Sequence, residues 1–297
     1  MKRKQVLYMP VAECTRSKKP KLWSEPLPCR YATIEYISAT HTRNYMLKDP
    51  LVDWLKTHRK FTLGDKSNKS NKSNKSTNEF DGFTTFIMKK GVEFEDKLVK
   101  YINSHRSPIV TVSEFITAES VKKTIDLMKE GVPIIHSAPV KNLINHTQGV
   151  IDLLVRSDYL HRIIDECPLT DEERIIESPK LGHDFHYVVI DVKFSTLPLR
   201  ADGKHLLNSG SYPAYKGQCL VYTDAIGLIQ GYTSRYAFIL GRRWRYTQQD
   251  IKYNSFSCLD KLGVIDYKKI DKSYINQTKN ALKWVRNNRK YGHHWSV

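Results

Sequence analysis

Tyr187-Val-Val-Ile-Asp191-Val-Lys193-Phe-Ser195 is the stretch whose reading decides the fold. A strand alternates its side chains, so Val188, Ile190, Val192 and Phe194 share one wholly apolar face. Val189, Asp191 and Lys193 share the other. A face that begins apolar and ends in an acid and a base is unusual, because buried charge is costly without partners. A simple Asp–Lys pair is the plain alternative, but a surface strand would make that pair at less cost. The acid-x-Lys pattern recurs at Glu95–Lys97, Asp202–Lys204 and Asp266–Lys268. Only Asp191–Lys193 follows a continuous apolar strand, so context selects it.

Outward from this strand, apolar runs at Pro133–Pro139 and Gly149–Arg156 read as further strands, and Ser107–Ser113 as a short one. Helical periodicity is read over Phe83–Ser104, Thr117–Lys129, Tyr215–Ile229 and Ser273–Arg289, with a strand over Tyr236–Leu240 that can continue to Tyr246. Polar stretches at 158–185 and 197–213 read as loops, the first with a short helix. Strands alternating with helices predict an α/β fold with a mixed sheet of four or five strands covered by helices. Its middle should hold 149–156 beside 187–195. The chain divides into a basic arm and small helical region at 1–63, a low-complexity Asn-Lys-Ser loop at 64–79, a packed core at 80–247 and a basic extension with a helix at 248–297.

Composition bounds the function classes. The 297 residues carry 48 Lys+Arg against 31 Asp+Glu, a net charge of +17. Such a balance favours a polyanionic partner, nucleic acid above all. No stretch reaches the roughly 20 apolar residues of a membrane span, and the start has no secretory pattern. The expected setting is intracellular, with nucleus, cytoplasm and a viral compartment left open. Five widely spaced cysteines without a C-x-x-C pair argue against a disulfide framework or a zinc knuckle. The repeated Asn-Lys-Ser tract has no apolar residue to bury and reads as a flexible surface loop.

Four further signals accompany the Asp191–Lys193 strand. In Gly149-Val-Ile-Asp152-Leu-Leu-Val155, strict alternation places Val150, Asp152 and Leu154 on one face. Asp152 is an acid among apolar residues, a type rarely buried without a partner or ion. Two aspartates on neighbouring strands repel unless a cation or proton lies between them, and oxygen donors suit Mg²⁺ or Mn²⁺. In the first long helix Phe94, Leu98, Tyr101 and Ile102 define the inward face; Glu95 lies near it, while Glu93 points away. Gln218 and Tyr222 stand four apart on one helical face. Finally, Arg242-Arg243-Trp244-Arg245 mixes phosphate binders with a stacking surface and is a candidate nucleic-acid contact.

The order Glu95, Asp152, Asp191-x-Lys193, Gln218-x-x-x-Tyr222 resembles the PD-(D/E)XK nuclease superfamily, in its RecB-like and Cas4-like exonuclease branch. The resemblance covers roughly 83–247. It implies a restriction-endonuclease-like core, Glu95, Asp152 and Asp191 as ligands of Mg²⁺ or Mn²⁺, Lys193 as the group that orients the attacking water, and Gln218 and Tyr222 as positioning or substrate-contacting residues. The implied activity is a metal-dependent deoxyribonuclease, exonucleolytic, serving DNA repair, recombination or replication. DNA is the implied partner, with helicase, replication or recombination proteins as possible associates and no membrane. Alternatives are a structure-specific endonuclease, a non-catalytic nucleic-acid-binding module on the same fold, or a basic α/β adaptor whose acids are merely ion-paired. Relatives with an iron–sulfur cluster place one cysteine before the core and three after it. Here Cys14 and Cys29 precede the core and only Cys258 follows, so no cluster is expected. No G-x-x-x-x-G-K-[ST] loop occurs, so no helicase activity is expected.

Overall fold

The apolar alternation of 187–195 builds the strand it predicts, in the middle of a sheet with helices on both faces. The computed structural model describes residues 35–62 and 77–295. The arm before residue 35, with Cys14 and Cys29, and nearly all of the Asn-Lys-Ser tract lie outside the described residues. In chain order the elements are β1 (Ile37–Ser38), α1 (Arg43–Met46), α2 (Leu51–Thr62), α3 (Thr77–His105), β2 (Val110–Thr111), α4 (Ala118–Lys129), β3 (Ile134–Asn142) and β4 (Thr147–Arg156). There follow α5 (Asp171–Arg174), β5 (Tyr187–Pro198), α6 (Tyr212–Gln230), β6 (Tyr236–Gln248), β7 (Ile251–Ser255), β8 (Gly263–Asp266) and α7 (Ser273–Tyr291).

Local chemistry sets several boundaries. Thr117 caps α4 by accepting a hydrogen bond from the Ser120 N–H, and Ser120 reciprocates to the Thr117 N–H. Pro50 separates α1 from α2. Gly231, at φ +81°, ends α6 in the left-handed region where a side chain is disfavoured.

Among the described residues the sheet has eight strands, more than the expected four or five. Its path is β2-β3-β4-β5-β6-β7, with β1 added to β4 and β8 to β6. β1/β4, β2/β3 and β5/β6 run parallel and the remaining pairs antiparallel. β4 and β5 are neighbours, as the sequence predicts. The expected strand over 107–113 shrinks to two residues, and the predicted loop over 197–213 gives up both ends to β5 and α6. Residues after 247 add β7 and β8 to the sheet and lay α7 against α6.

Two apolar layers flank the sheet. Met46, Val189, Leu220, Ile226, Ile239 and Val285 belong to the layer on the α6/α7 side. Leu98, Ile102, Val188, Ile190, Val192 and Phe238 belong to the layer beneath α3. Leu98 and Ile102 point inward as expected, but Tyr101 does not: it is exposed and stacks on His105.

One local rule fails where the site lies. Ile151 packs in the α6-side layer and Leu153 in the α3-side layer, although strict alternation gives them one face. The break falls at Asp152. Across from it on β3, Ser137 adopts φ +47°, a conformation that costs a non-glycine residue roughly 1 kcal/mol or more. Both strands therefore change face at one level.

Candidate active site

The site opens where β4 and β5 part. Their ladder runs from Arg156↔Tyr187 to Leu153↔Ile190. At the next step a side chain takes over: Asp152 Oδ2 accepts the Val192 N–H at 2.7 Å. A backbone donor of a neighbouring strand lies in the sheet plane, so Asp152 turns sideways into the gap between the strands. Further along, β1 pairs with Thr147 and Gln148 of β4. It occupies the side of β4 opposite β3, which β5 has left.

Asp191 and Lys193 reach the same gap from the α6 side. Asp191 is fully buried. Its Oδ2 lies 2.7 Å from Lys193 Nζ, and Lys193 Nζ lies 3.7 Å from Asp152 Oδ2. The ammonium thus sits between two carboxylates. Asp191 Oδ1 accepts a hydrogen bond from Gln218 Nε2 at 3.1 Å. The same amide donates to the Tyr222 hydroxyl at 3.0 Å. Despite the short approach of Lys193, Asp191 Oδ2 accepts no well-directed hydrogen bond. Tyr222 is buried, only 3% exposed, and so stands as a positioning group and not as a surface ring. It acts on Gln218 and fills the space above Gly149. A Cβ at Gly149 would lie 2.4 Å from Tyr222 Cε1. That contact is why the Gly149-Val-Ile-Asp152 run needs its glycine.

Glu95 enters from α3, on the opposite face of the sheet. Its Oε1 lies 3.2 Å from His136 Nε2. His136 Nδ1 lies 3.1 Å from Thr111 Oγ1. The sequence reading missed His136; a single histidine inside an apolar strand carries no pattern of its own. Glu93 pairs with Lys90 one turn away at 2.7 Å and stays at the surface, as its helical phase predicts. Arg43 lies at the rim beyond Gln218. Its Nη2 donates to Ser211 Oγ at 2.9 Å, and its guanidinium stands 5.7 Å from the Tyr215 ring centroid.

The electrostatics follow from this crowding. Burial, together with the charges of Asp191 and Glu95, pushes the Asp152 carboxyl up to about 8, against the opposing pull of Lys193 and the Val192 N–H. Burial also raises Asp191, again opposed by Lys193. Burial works against the Lys193 ammonium, but the two aspartates outweigh it and hold its pKa above the ordinary value. Two adjacent acids, Asp191 buried and Asp152 half-buried, therefore share one ammonium, and the pair is short of positive charge. Among the described residues, no group of three His, Cys, Asp or Glu side chains is already gathered for metal binding. Asp152 and Asp191 are the carboxylates of this gap, and Glu95 stands against His136.

The Arg242–Arg245 run divides. Trp244 is mostly buried and packs into the core, which corrects its reading as a free stacking surface. Arg242 lies over Phe194 at 4.7 Å, whereas Arg243 donates through Nε to Thr196 Oγ1 at 2.6 Å. Among the described residues no helix is long and apolar enough to cross a membrane. No protein-family model matches the chain, and no curated protein matches it in sequence.

Proposed function

We propose that this protein is a divalent-metal-dependent deoxyribonuclease with a restriction-endonuclease-like core. One observation carries the reading: a lysine lodged between the buried Asp191 and the half-buried Asp152 where two central strands part, with Gln218 held on Asp191. All donors are hard oxygens, one buried oxygen of Asp191 lacks a directed partner, and the acid pair lacks positive charge. That donor set suits Mg²⁺ or Mn²⁺, held by Asp152, Asp191 and Glu95. The bound ion would polarise the phosphoryl oxygens and lower the pKa of water. Lys193 would hold the attacking water in line and offset charge developing on the phosphoryl group. Gln218 would fix the orientation of Asp191, and Tyr222 would fix Gln218. The Gln218/Tyr222 pair, through its resemblance to the RecB-like branch, favours exonucleolytic action in DNA repair, recombination or replication.

The test uses purified protein on end-labelled single- and double-stranded DNA with Mg²⁺, Mn²⁺ or EDTA. Asp191→Asn keeps the side-chain shape and removes a charge, so cleavage should largely vanish while binding in EDTA persists. Lys193→Ala should slow turnover by about 10²–10³, the scale of one lost transition-state donor. Glu93→Gln should cleave like wild type. Cleavage that persists in EDTA, or undiminished in both core variants, would refute the assignment. The resting ion-paired arrangement favours a second reading, a non-catalytic DNA-binding module. Binding without cleavage under every metal condition would select it.

A further inference from the structure

A cleft of about 680 Å³ lies beyond the carboxylates, between the end of β5 and the β6–β7 hairpin. Its charge has one sign: Arg200, Arg243, Arg245 and Lys252 line it, and no Asp or Glu does. Its apolar wall is aromatic. Tyr246 and Tyr253 stack with ring centroids 4.7 Å apart and planes 10° apart. Phe256, at the mouth, is 77% exposed, with the Arg243 guanidinium 5.4 Å from its ring centroid. An exposed ring backed by a guanidinium is poorly placed in water and well placed against another π face.

The backbone connects this cleft to the aspartates. Between Lys193↔Gly241 and Thr196↔Arg243, β5 spends three steps where β6 spends two. β5 therefore carries one extra residue, a bulge of the kind that re-aims side chains. Beyond the bulge Leu197, paired with Trp244, packs over Gly241, where a Cβ would lie 2.6 Å from Leu197 Cγ. The first turn of α6 braces the bulge: the Tyr212 hydroxyl donates to Thr196 O at 2.8 Å and lies 3.0 Å from Ser195 Oγ. Thr196, three residues beyond Lys193, lines the cleft, so the strand that carries Asp191 and Lys193 runs on into it.

We propose that this cleft holds an unpaired stretch of DNA, with a base stacked on Phe256 and Tyr253 and the phosphates on Arg245, Lys252 and Arg200. The volume is that of a small-ligand pocket, about 300–1,000 Å³; it admits an extended single strand and not a duplex. Cations lining a groove beside sequence-tolerant stacking rings are the general means of holding single strands. The proposal rests on the nuclease reading for its direction, since it makes the cleft the track along which an unpaired strand meets Lys193. Binding itself can be measured without turnover.

The experiment measures fluorescence anisotropy of a labelled 12-nucleotide oligo-dT, and of a 12-base-pair duplex, with the full chain in EDTA. Phe256→Ala and Tyr253→Ala should each weaken oligo-dT binding by about 5- to 100-fold, the scale of one lost stack. The double variant Arg245→Ala/Lys252→Ala should also flatten the slope of log K against log salt by about 1.4, roughly 0.7 per single-strand phosphate contact. Lys123→Ala, on the exposed side of α4, should leave the slope unchanged. Thermal melts check that each variant is folded. Unchanged oligo-dT binding in folded Phe256→Ala and Tyr253→Ala would overturn the proposal. So would duplex binding as tight as single-strand binding, or displacement of oligo-dT by equimolar dTMP. Cleavage assayed in Mg²⁺ keeps the two readings apart. A protein that cleaves but binds normally without Phe256 loses only the cleft. One that never cleaves but binds through Phe256 loses only the nuclease.

Discussion

Gly149 shows how tightly one residue can be specified by another far along the chain. Gly149→Ala must displace the Tyr222 ring, and with it the Gln218 amide that bridges Tyr222 and Asp191. Overpacking of this kind costs about 1–3 kcal/mol. The expected outcome is a lower melting temperature and, on the proposed nuclease reading, a loss of turnover larger than the loss of DNA binding in EDTA. His186 gives a pH-dependent prediction at the same scale. Burial pushes its pKa down to about 4, although its Nδ1 donates to the Ile176 carbonyl and Glu173 and Asp158 lie near enough to favour the charge. The unfolded chain takes up this proton below about 6.5, while the fold refuses it until about 4. Stability is therefore intact above 6.5 and falls as pH drops towards 4, by about 3 kcal/mol at most. Urea titrations at pH 7 and pH 4.5 should show a smaller acid loss in His186→Gln than in wild type.

At the scale of elements, the sequence was most legible where a pattern had only one reading. Gly-Val-Ile-Asp occurs twice, at 149–152 and 263–266, and both copies form strands. The second, β8, goes unread, because four residues followed by a lysine-rich turn show too little periodicity. Its acid has another fate: Asp266 accepts two hydrogen bonds from Arg235, at 2.9 and 2.5 Å. The letters are identical, and the neighbouring strands decide. β7 was illegible for a different reason. It folds back from β6 through Gln249 and Asp250, both at positive φ. Such two-residue turns are usually announced by Asn-Gly or Asp-Gly, and here Gln-Asp does the same work without the signal. The meeting of Asp152 with Asp191 and Lys193 was legible as residue types and order, but not as geometry. It depends on Ser137 and Asp152 switching faces, which no local pattern encodes.

The loop before α6 is fastened at this scale too. Lys216 is fully buried and donates to Asp271 Oδ1 and Asn208 Oδ1 at 2.6 Å each and to Leu206 O at 3.0 Å. Lys216→Met would strand the Asp271 carboxylate in the core, and removing one partner of such a pair costs about 3–5 kcal/mol. Adding Asp271→Leu should recover much of the loss, which equilibrium urea unfolding of the single and double variants would measure.

For the whole molecule, the residues after 247 are structural parts of the sheet and its cover. Tyr274, Ala281, Leu282 and Val285 of α7 are buried in the layer that also holds α6 and its Tyr222. Removing 273–297 exposes that layer and should yield an aggregating or molten protein, not a compact folded core. Size-exclusion chromatography and near-ultraviolet circular dichroism would distinguish the two outcomes.

The two-residue strand β1 has a consequence in time. Ile37 pairs with Thr147, 110 residues further along the chain. At roughly 5–20 residues per second of synthesis, the N-terminal piece waits several seconds for its partner to emerge. Gln218 appears later still, so the rim that Arg43 builds beside it closes only when α6 has left the ribosome. Parallel pairing over such a span is slow to nucleate. A nascent chain therefore carries its first acids long before it carries the pocket that gives them a purpose, and the order of synthesis itself delays the assembly of the site.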